Sequence, residues 1–215
     1  MTYLELVNKV LVRLRESTVT TVNENTYSSL VGEFVNDAKD FVENAWDWGA
    51  LRQVITIATT ASDYTYSLTS SGQYSEIKSV VNDTANSFMH YQTQDWFEKN
   101  LYLNNTIEGT PAYYTFNGID TNEDTQVMVY PIPDAVYSLR FKTVLRTDEL
   151  SSDTDTTKLP TKPIIHLATA FAARERGETG GTSSQELFAI ADKSLADAIA
   201  FDANRYPEEL VYVAV

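Results

Sequence analysis

The sequence has no cysteine and only two histidines, His90 and His166. Without thiols, neither a disulfide framework nor a thiolate metal site can form, and the redox compartment cannot be inferred. Neither histidine has a second ligand at metal-site spacing. The chain has no Gly-x-Ser-x-Gly turn, and its glycine-bearing loop at Gly177, Gly180 and Gly181 lacks the Lys-Ser/Thr ending of a phosphate loop. We therefore predict no metal and no cofactor.

Positive charge is scarce as well. Sixteen Lys and Arg residues stand against thirty Asp and Glu residues, giving a formal net charge of -14 at pH 7. Proteins that bind nucleic acid place basic side chains against the phosphates and release counterions. This composition predicts a surface that repels DNA and does not bind it specifically.

We also predict neither a secretory leader nor a membrane-spanning segment. Residues 1–16 carry charges among their apolar positions and no small-residue cleavage site. No apolar segment approaches the roughly 20 residues that cross a bilayer. With 215 residues, of which 43% are hydrophobic, the chain can bury a substantial core. We expect a soluble protein with no membrane partner.

Carboxylates are abundant, so a pair for glycan hydrolysis has to be considered. Asp95 and Glu98, on a short predicted helix beside Trp96, are the best candidates. A solvated helical turn, with Asp95 near the positive end of the helix dipole, explains them better. We predict that the protein is not an enzyme. A glycan-binding or glycan-hydrolysing module is kept as the alternative, since thirteen tyrosines suit glycan adhesion and subunit interfaces alike.

Four segments have helical periodicity. Thr2 and Glu5 form a capping box before a helix from Tyr3 to about Glu16. A second helix runs from Tyr27 to about Trp46, and a third follows Pro163. Ser184 is predicted to cap a fourth, which ends near Tyr206. The predicted buried stripe of the second helix is Tyr27, Val31, Phe34, Ala38, Phe41 and Ala45.

Between the second and third helices the period changes to two. The clearest part is Gly109–Arg146, which is predicted to contain three consecutive strands. Pro131 and Pro133 separate the second strand from the third, because proline has no amide hydrogen to donate to a neighbouring strand. An antiparallel meander is expected there. Asp148–Thr157 is so polar that a mobile loop and a domain boundary are predicted.

These elements predict an α+β fold. Two N-terminal and two C-terminal helices, from residues 1–50 and 159–206, would form a four-helix bundle with an inserted antiparallel β-domain, residues 51–150. Residues 207–215 would be a C-terminal docking arm.

The stretch that begins at Gly109 also carries a resemblance. Gly109-x-Pro111-x-Tyr113-Tyr114, a short loop, and an apolar strand that closes on Tyr-Pro-x-Pro at residues 130–133 are similar to the β-domain of tailed-bacteriophage head-to-tail adaptor (connector or neck) proteins. In that family helices precede and follow this unit, as they are predicted to do here.

The resemblance implies a structural virion protein at the neck, made in the host cytoplasm. It would form a homo-oligomeric ring, commonly of about twelve copies, beneath the portal. Such a ring links the capsid vertex to the tail and lines a channel through which DNA passes without specific binding. The implied partners are the portal protein and a tail or nozzle protein.

Two groups of residues are predicted to bind these partners. Burying a valine is worth about 2 kcal/mol, and fixing each backbone residue costs roughly 1 to 2 kcal/mol. The apolar end of the chain should therefore become ordered only beside another strand, either the portal's or the edge of its own β-domain. The predicted portal-docking residues are Leu210, Val211, Tyr212, Val213 and Val215. Tail-side contacts are predicted at a hairpin tip containing Asn117, Gly118, Asp120 and Asn122.

Overall fold

The computed structural model describes residues 1–177 and 184–205. The chain divides into two compact units: Met1–Ala50 with Thr147–Val215, called here the helical unit, and Leu51–Arg146, called the β unit. The helices are α1 (Tyr3–Arg13), α2 (Thr26–Asn44), α3 (Gln94–Glu98), α4 (Thr161–Glu175) and α5 (Ser184–Ala203). The strands are β1 (Arg52–Ala58), β2 (Thr65–Ser67), β3 (Glu76–Asn82), β4 (Ser87–Tyr91), β5 (Tyr113–Ile119), β6 (Thr125–Tyr130) and β7 (Ser138–Val144).

The helical unit starts at the predicted capping box. The Glu5 amide donates to Thr2 Oγ1 over 3.2 Å, and Glu5 Oε2 accepts from the Thr2 amide over 2.9 Å. Helices α1, α2 and α4 pack against one another, and α5 packs chiefly against α4. Four alanines of α4 are buried and allow close approach of its neighbours: Ala168, Ala170, Ala172 and Ala173.

Helix α2 buries a different face from the predicted one. Val31 and Ala38 are buried, but the buried face centres on Val35 and Val42. Phe41 is 52% exposed. The prediction that Phe41 belongs to the core is therefore wrong.

Residues 148–157 form a loop between β7 and α4, as predicted, and hydrogen bonds hold this loop against the helical unit. The Asn36 side chain bonds both the amide of Leu150 (3.0 Å) and its carbonyl (3.1 Å). The amide of Tyr3 donates to the Asp155 carbonyl over 2.8 Å. The Asp155 carboxylate accepts hydrogen bonds from the amides of Ser152 and Ser151. These bonds, above all the one from Ser152, lower the pKa of Asp155. Polar side chains fix this segment because they satisfy its backbone groups.

The β unit contains one seven-stranded sheet in the order β1-β7-β3-β4-β5-β6-β2. Neighbouring strands are antiparallel except β4 and β5, which are parallel. The two outermost strands contribute to the same core: Ile55 and Ile57 of β1 and Tyr66 of β2 pack around buried residues such as Phe141. The sheet therefore curls into a nearly closed, barrel-like form.

The predicted four-helix bundle with an inserted antiparallel β-domain is wrong. The part of the chain that the structure describes holds five α-helices, and its sheet is mixed and nearly closed. Helix α3, extended by a π-helical turn at Lys99–Leu103, belongs to the connection between β4 and β5. That long connection allows the parallel pairing, because parallel neighbours cannot be joined by a tight hairpin.

Helix α2 has no room for a side chain at Gly32. A Cβ atom there would lie 2.5 Å from Tyr3 Oη and 2.9 Å from Val22 Cγ1. Alanine gains about 1 kcal/mol in helix propensity over glycine, but overpacking costs typically 1 to 3 kcal/mol. We expect Gly32→Ala to lower the melting temperature, whereas Asp37→Ala, at an exposed position of the same helix, should leave it nearly unchanged. Thermal melts followed by circular dichroism test this, and a more stable Gly32→Ala variant would contradict it.

Candidate functional site

The predicted tail-side residues do not all lie in a loop. Asn117 and Gly118 are residues of β5, where the pairing with β6 shifts register between Phe116 and Ile119. Gly118 has a φ of 86°, a left-handed conformation that glycine adopts without strain. Asp120 and Asn122 lie in the turn between β5 and β6. The hairpin tip is therefore shorter than predicted.

This turn is fixed by its own hydrogen bonds. Asp120 Oδ1 accepts from the amides of Asn122 (2.8 Å) and Asp124 (2.9 Å). The Asp124 amide above all, and then the Ser67 hydroxyl, lower the pKa of Asp120. Asp124 in turn accepts from the Gly72 amide over 3.2 Å. The tip thus presents a negatively charged surface of defined shape.

The helical unit has a second candidate surface, on α5. Phe201 is 75% exposed and Ile190 is 46% exposed. Beside Phe201 lies a cavity of about 390 Å³ between α5 and the start of α4. We call it the α4–α5 cavity; its apolar wall consists of Pro160, Pro163, Ala198 and Phe201. The hydrophobic pattern of the sequence did not predict this cavity, because residues 160–163 and 194–205 are distant in the chain.

An aromatic row crosses another side of the same helices. Phe34 of α2 lies 6.4 Å from Phe171 of α4, and Phe171 lies 5.8 Å from Phe188 of α5, measured between ring centroids. The Arg174 guanidinium stacks over both Phe171 and Phe188. Stacked arginine and half-buried aromatic side chains are frequent at protein interfaces.

No described group of residues has the geometry of a metal site. Asp95 and Glu98 are exposed on α3. Within residues 1–177 and 184–205, no three His, Cys, Asp or Glu side chains are placed to hold a metal ion. Burial, and then the charges of Arg13 and Lys162, lower the pKa of His166, which favours its neutral form.

The predicted portal-docking residues, Leu210, Val211, Tyr212, Val213 and Val215, lie outside the described residues. Among the helices that are described, none combines the length and the apolar character needed to span a membrane.

The family model described as SU10 adaptor protein matches residues 1–211. The chain therefore belongs to the SU10 adaptor protein family, and the resemblance to phage head-to-tail adaptors is confirmed. The family implies a structural role in a bacteriophage virion. A comparison with curated proteins found no match.

Proposed function

We propose that this protein is a head-to-tail adaptor that forms a ring, of about twelve copies, beneath the portal. The ring links the capsid vertex to the tail and lines the DNA channel. The family match over residues 1–211 is the observation that carries this proposal. The net charge of -14 supports it, since an acidic wall repels DNA and lets it pass without binding.

In this proposal two segments of the chain meet different partners. Residues 207–215 are an arm that adds a strand to a sheet edge of the portal, with Val211, Val213 and Val215 on one face. The hairpin tip at Asp120 and Asn122 meets the tail or nozzle protein. Its hydrogen bonds favour such a role, because a loop already held in one conformation loses little entropy on binding.

Removal of the arm tests the portal contact. A chain that ends after Pro207 is expected to keep its melting temperature and to lose the ability to join portal-bearing heads to tails. In the full-length chain, replacing Val211, Val213 and Val215 together with serine should have the same effect. The matched control is the triple variant Val12→Ser/Val54→Ser/Val136→Ser, which makes the same three substitutions at exposed valines outside the arm and should leave head-to-tail joining unchanged.

Head-to-tail joining is measured by electron microscopy and infectivity after mixing adaptor-free heads with tails. If the shortened chain unfolds, the removed C-terminal residues belong to the core of their own subunit, and the proposal of a docking arm is wrong. If the shortened chain joins heads to tails as well as the full chain, portal docking occurs elsewhere.

A further inference from the structure

Four basic side chains of the helical unit lie where α1 packs against α4. Lys9 and Arg13 lie one turn apart on the exposed side of α1, and Lys162 is exposed in the first turn of α4. His166 follows Lys162 by one turn. Burial, and then the nearby charges of Arg13 and Lys162, lower the pKa of His166. We call Lys9, Arg13, Lys162 and His166 the basic cluster.

Carboxylates of the same copy do not neutralise the basic cluster. Within residues 1–177 and 184–205, its two lysines and its arginine form no ion pair. Glu5, one turn before the cluster on α1, accepts from an amide of the capping box, and Glu16 pairs with Arg176. Asp197 lines the α4–α5 cavity together with Lys162 but is not within ion-pair distance of it. The cluster therefore keeps an uncompensated positive charge.

An acidic surface of the same unit has the opposite charge. Glu33 and Asp37 lie one turn apart on the exposed side of α2. The pKa of the Tyr3 hydroxyl is raised to about 12, first by burial and then by three carboxylates near it. These belong to Glu33, Glu149 and Asp153. We call Glu33, Asp37, Glu149 and Asp153 the acidic cluster, and none of them forms an ion pair within the described part of the chain.

A second copy of the chain is the partner that these charges select. Each copy carries a formal charge of -14, so copies repel one another over most of their surface. They attract where an uncompensated positive cluster meets an uncompensated negative one, and every copy brings both. Such a contact joins two different surfaces of the same chain. It is heterologous, so it repeats from copy to copy and closes into a ring when the rotation allows.

We infer that the basic cluster of one copy contacts the acidic cluster of the next copy. This inference rests on the proposed function, and it names the contact that would build the ring. Lys9 and Arg13 on α1 then face Glu33 and Asp37 on α2, and both pairs have the spacing of one helical turn. Because the contact is between exposed charges, it weakens as the salt concentration rises.

Reversing the charge of the basic cluster tests this contact. The reversed-basic variant is Lys9→Glu/Arg13→Glu/Lys162→Glu. On portal-bearing heads that lack adaptor, it should give about tenfold fewer adaptor copies per head than the wild type, or fewer still, because like charges then face each other. The control makes the same change in net charge at exposed lysines outside the cluster and should assemble normally. It is the triple variant Lys99→Glu/Lys142→Glu/Lys193→Glu.

Thermal melts followed by circular dichroism show whether the reversed-basic variant folds. If it does not fold, the neutral variant Lys9→Gln/Arg13→Gln/Lys162→Gln takes its place. The neutral variant should also lose assembly, because the attraction is gone even though no repulsion replaces it. Normal assembly by a folded variant of either kind would overturn the inference.

Mixing two defective variants identifies the partner. The reversed-acidic variant, Glu33→Lys/Asp37→Lys/Glu149→Lys, should also fail to assemble alone. In an equimolar mixture with the reversed-basic variant, every contact between unlike copies again pairs opposite charges. Assembly on heads should therefore recover, with the two variants in equal numbers. Recovery by mixing requires a contact between copies, because neither chain has its own charges changed by the mixing.

A contact of the basic cluster with the portal would give a different pattern. The reversed-acidic variant would then assemble alone, and the reversed-basic variant would not recover in the mixture. Either of these results contradicts the inference, while wild-type adaptor on the same heads would show that the proposed function still holds. If wild-type adaptor does not assemble on the heads at all, the proposed function itself fails.

Discussion

Replacing Lys39 with methionine is expected to lower the free energy of unfolding by about 3 to 5 kcal/mol. The Lys39 side chain is completely buried in the helical unit, where its Nζ lies 3.2 Å from Glu43 Oε2 and donates to the Thr147 carbonyl over 2.9 Å. Glu43 in turn accepts from the Thr147 amide over 2.6 Å. Without the lysine, Glu43 is a buried charge without a counterion, and Thr147 loses a hydrogen bond to its carbonyl.

Urea denaturation followed by circular dichroism measures this loss. Lys9→Met, at an exposed position of α1, is the matched control and should change stability by less than about 0.5 kcal/mol. The double variant Lys39→Met/Glu43→Leu should cost less than the sum of the two single variants, because no isolated charge is left in the interior. A loss below about 1 kcal/mol for Lys39→Met would show that the pair contributes little.

A loss of similar size is expected in the β unit. Phe141 is fully buried on β7, which lies between β1 and β3, and its ring meets Tyr114 edge-to-face at 6.3 Å between centroids. Phe141→Ala removes this contact and leaves a cavity, which typically costs 3 to 5 kcal/mol. The control is Phe88→Ala, which removes an identical side chain from β4 where it is 66% exposed.

Both phenylalanine variants are compared by chemical denaturation under identical conditions. Equal losses for Phe141→Ala and Phe88→Ala would mean that the sheet does not enclose the core described here. A large loss for Phe141→Ala alone would support a core shared by strands from both ends of the sheet order.

Local chemistry in the sequence determined where most helices and several strands lie. The capping box at Thr2 and Glu5 was visible because both of its hydrogen bonds join residues three positions apart. Likewise, β6 ends at Tyr130 because Pro131 cannot continue a ladder. The resemblance to head-to-tail adaptors also came from local residues, and the family match confirmed it.

The tertiary structure alone decided how these elements combine and which side chains they bury. The parallel pairing of β4 with β5 depends on the path of the long connection between them. The sequence could not predict it, because the alternation of residues along a strand is the same in parallel and antiparallel pairs. The hydrophobic pattern of α2 placed Phe41 inside, but the buried Lys39–Glu43 pair belongs to the face that packs against the rest of the unit.

The candidate assembly surfaces were likewise decided by the tertiary structure. The α4–α5 cavity joins residues around Pro160 to residues around Phe201, which are distant in the chain, so no sequence window contains it. The periodicity of a helix shows which residues are apolar. It does not show which of them are buried, because burial is favourable for every apolar residue. Which of them remain exposed for a partner depends on the limited area that neighbouring helices cover, and this is fixed only when the chain has folded.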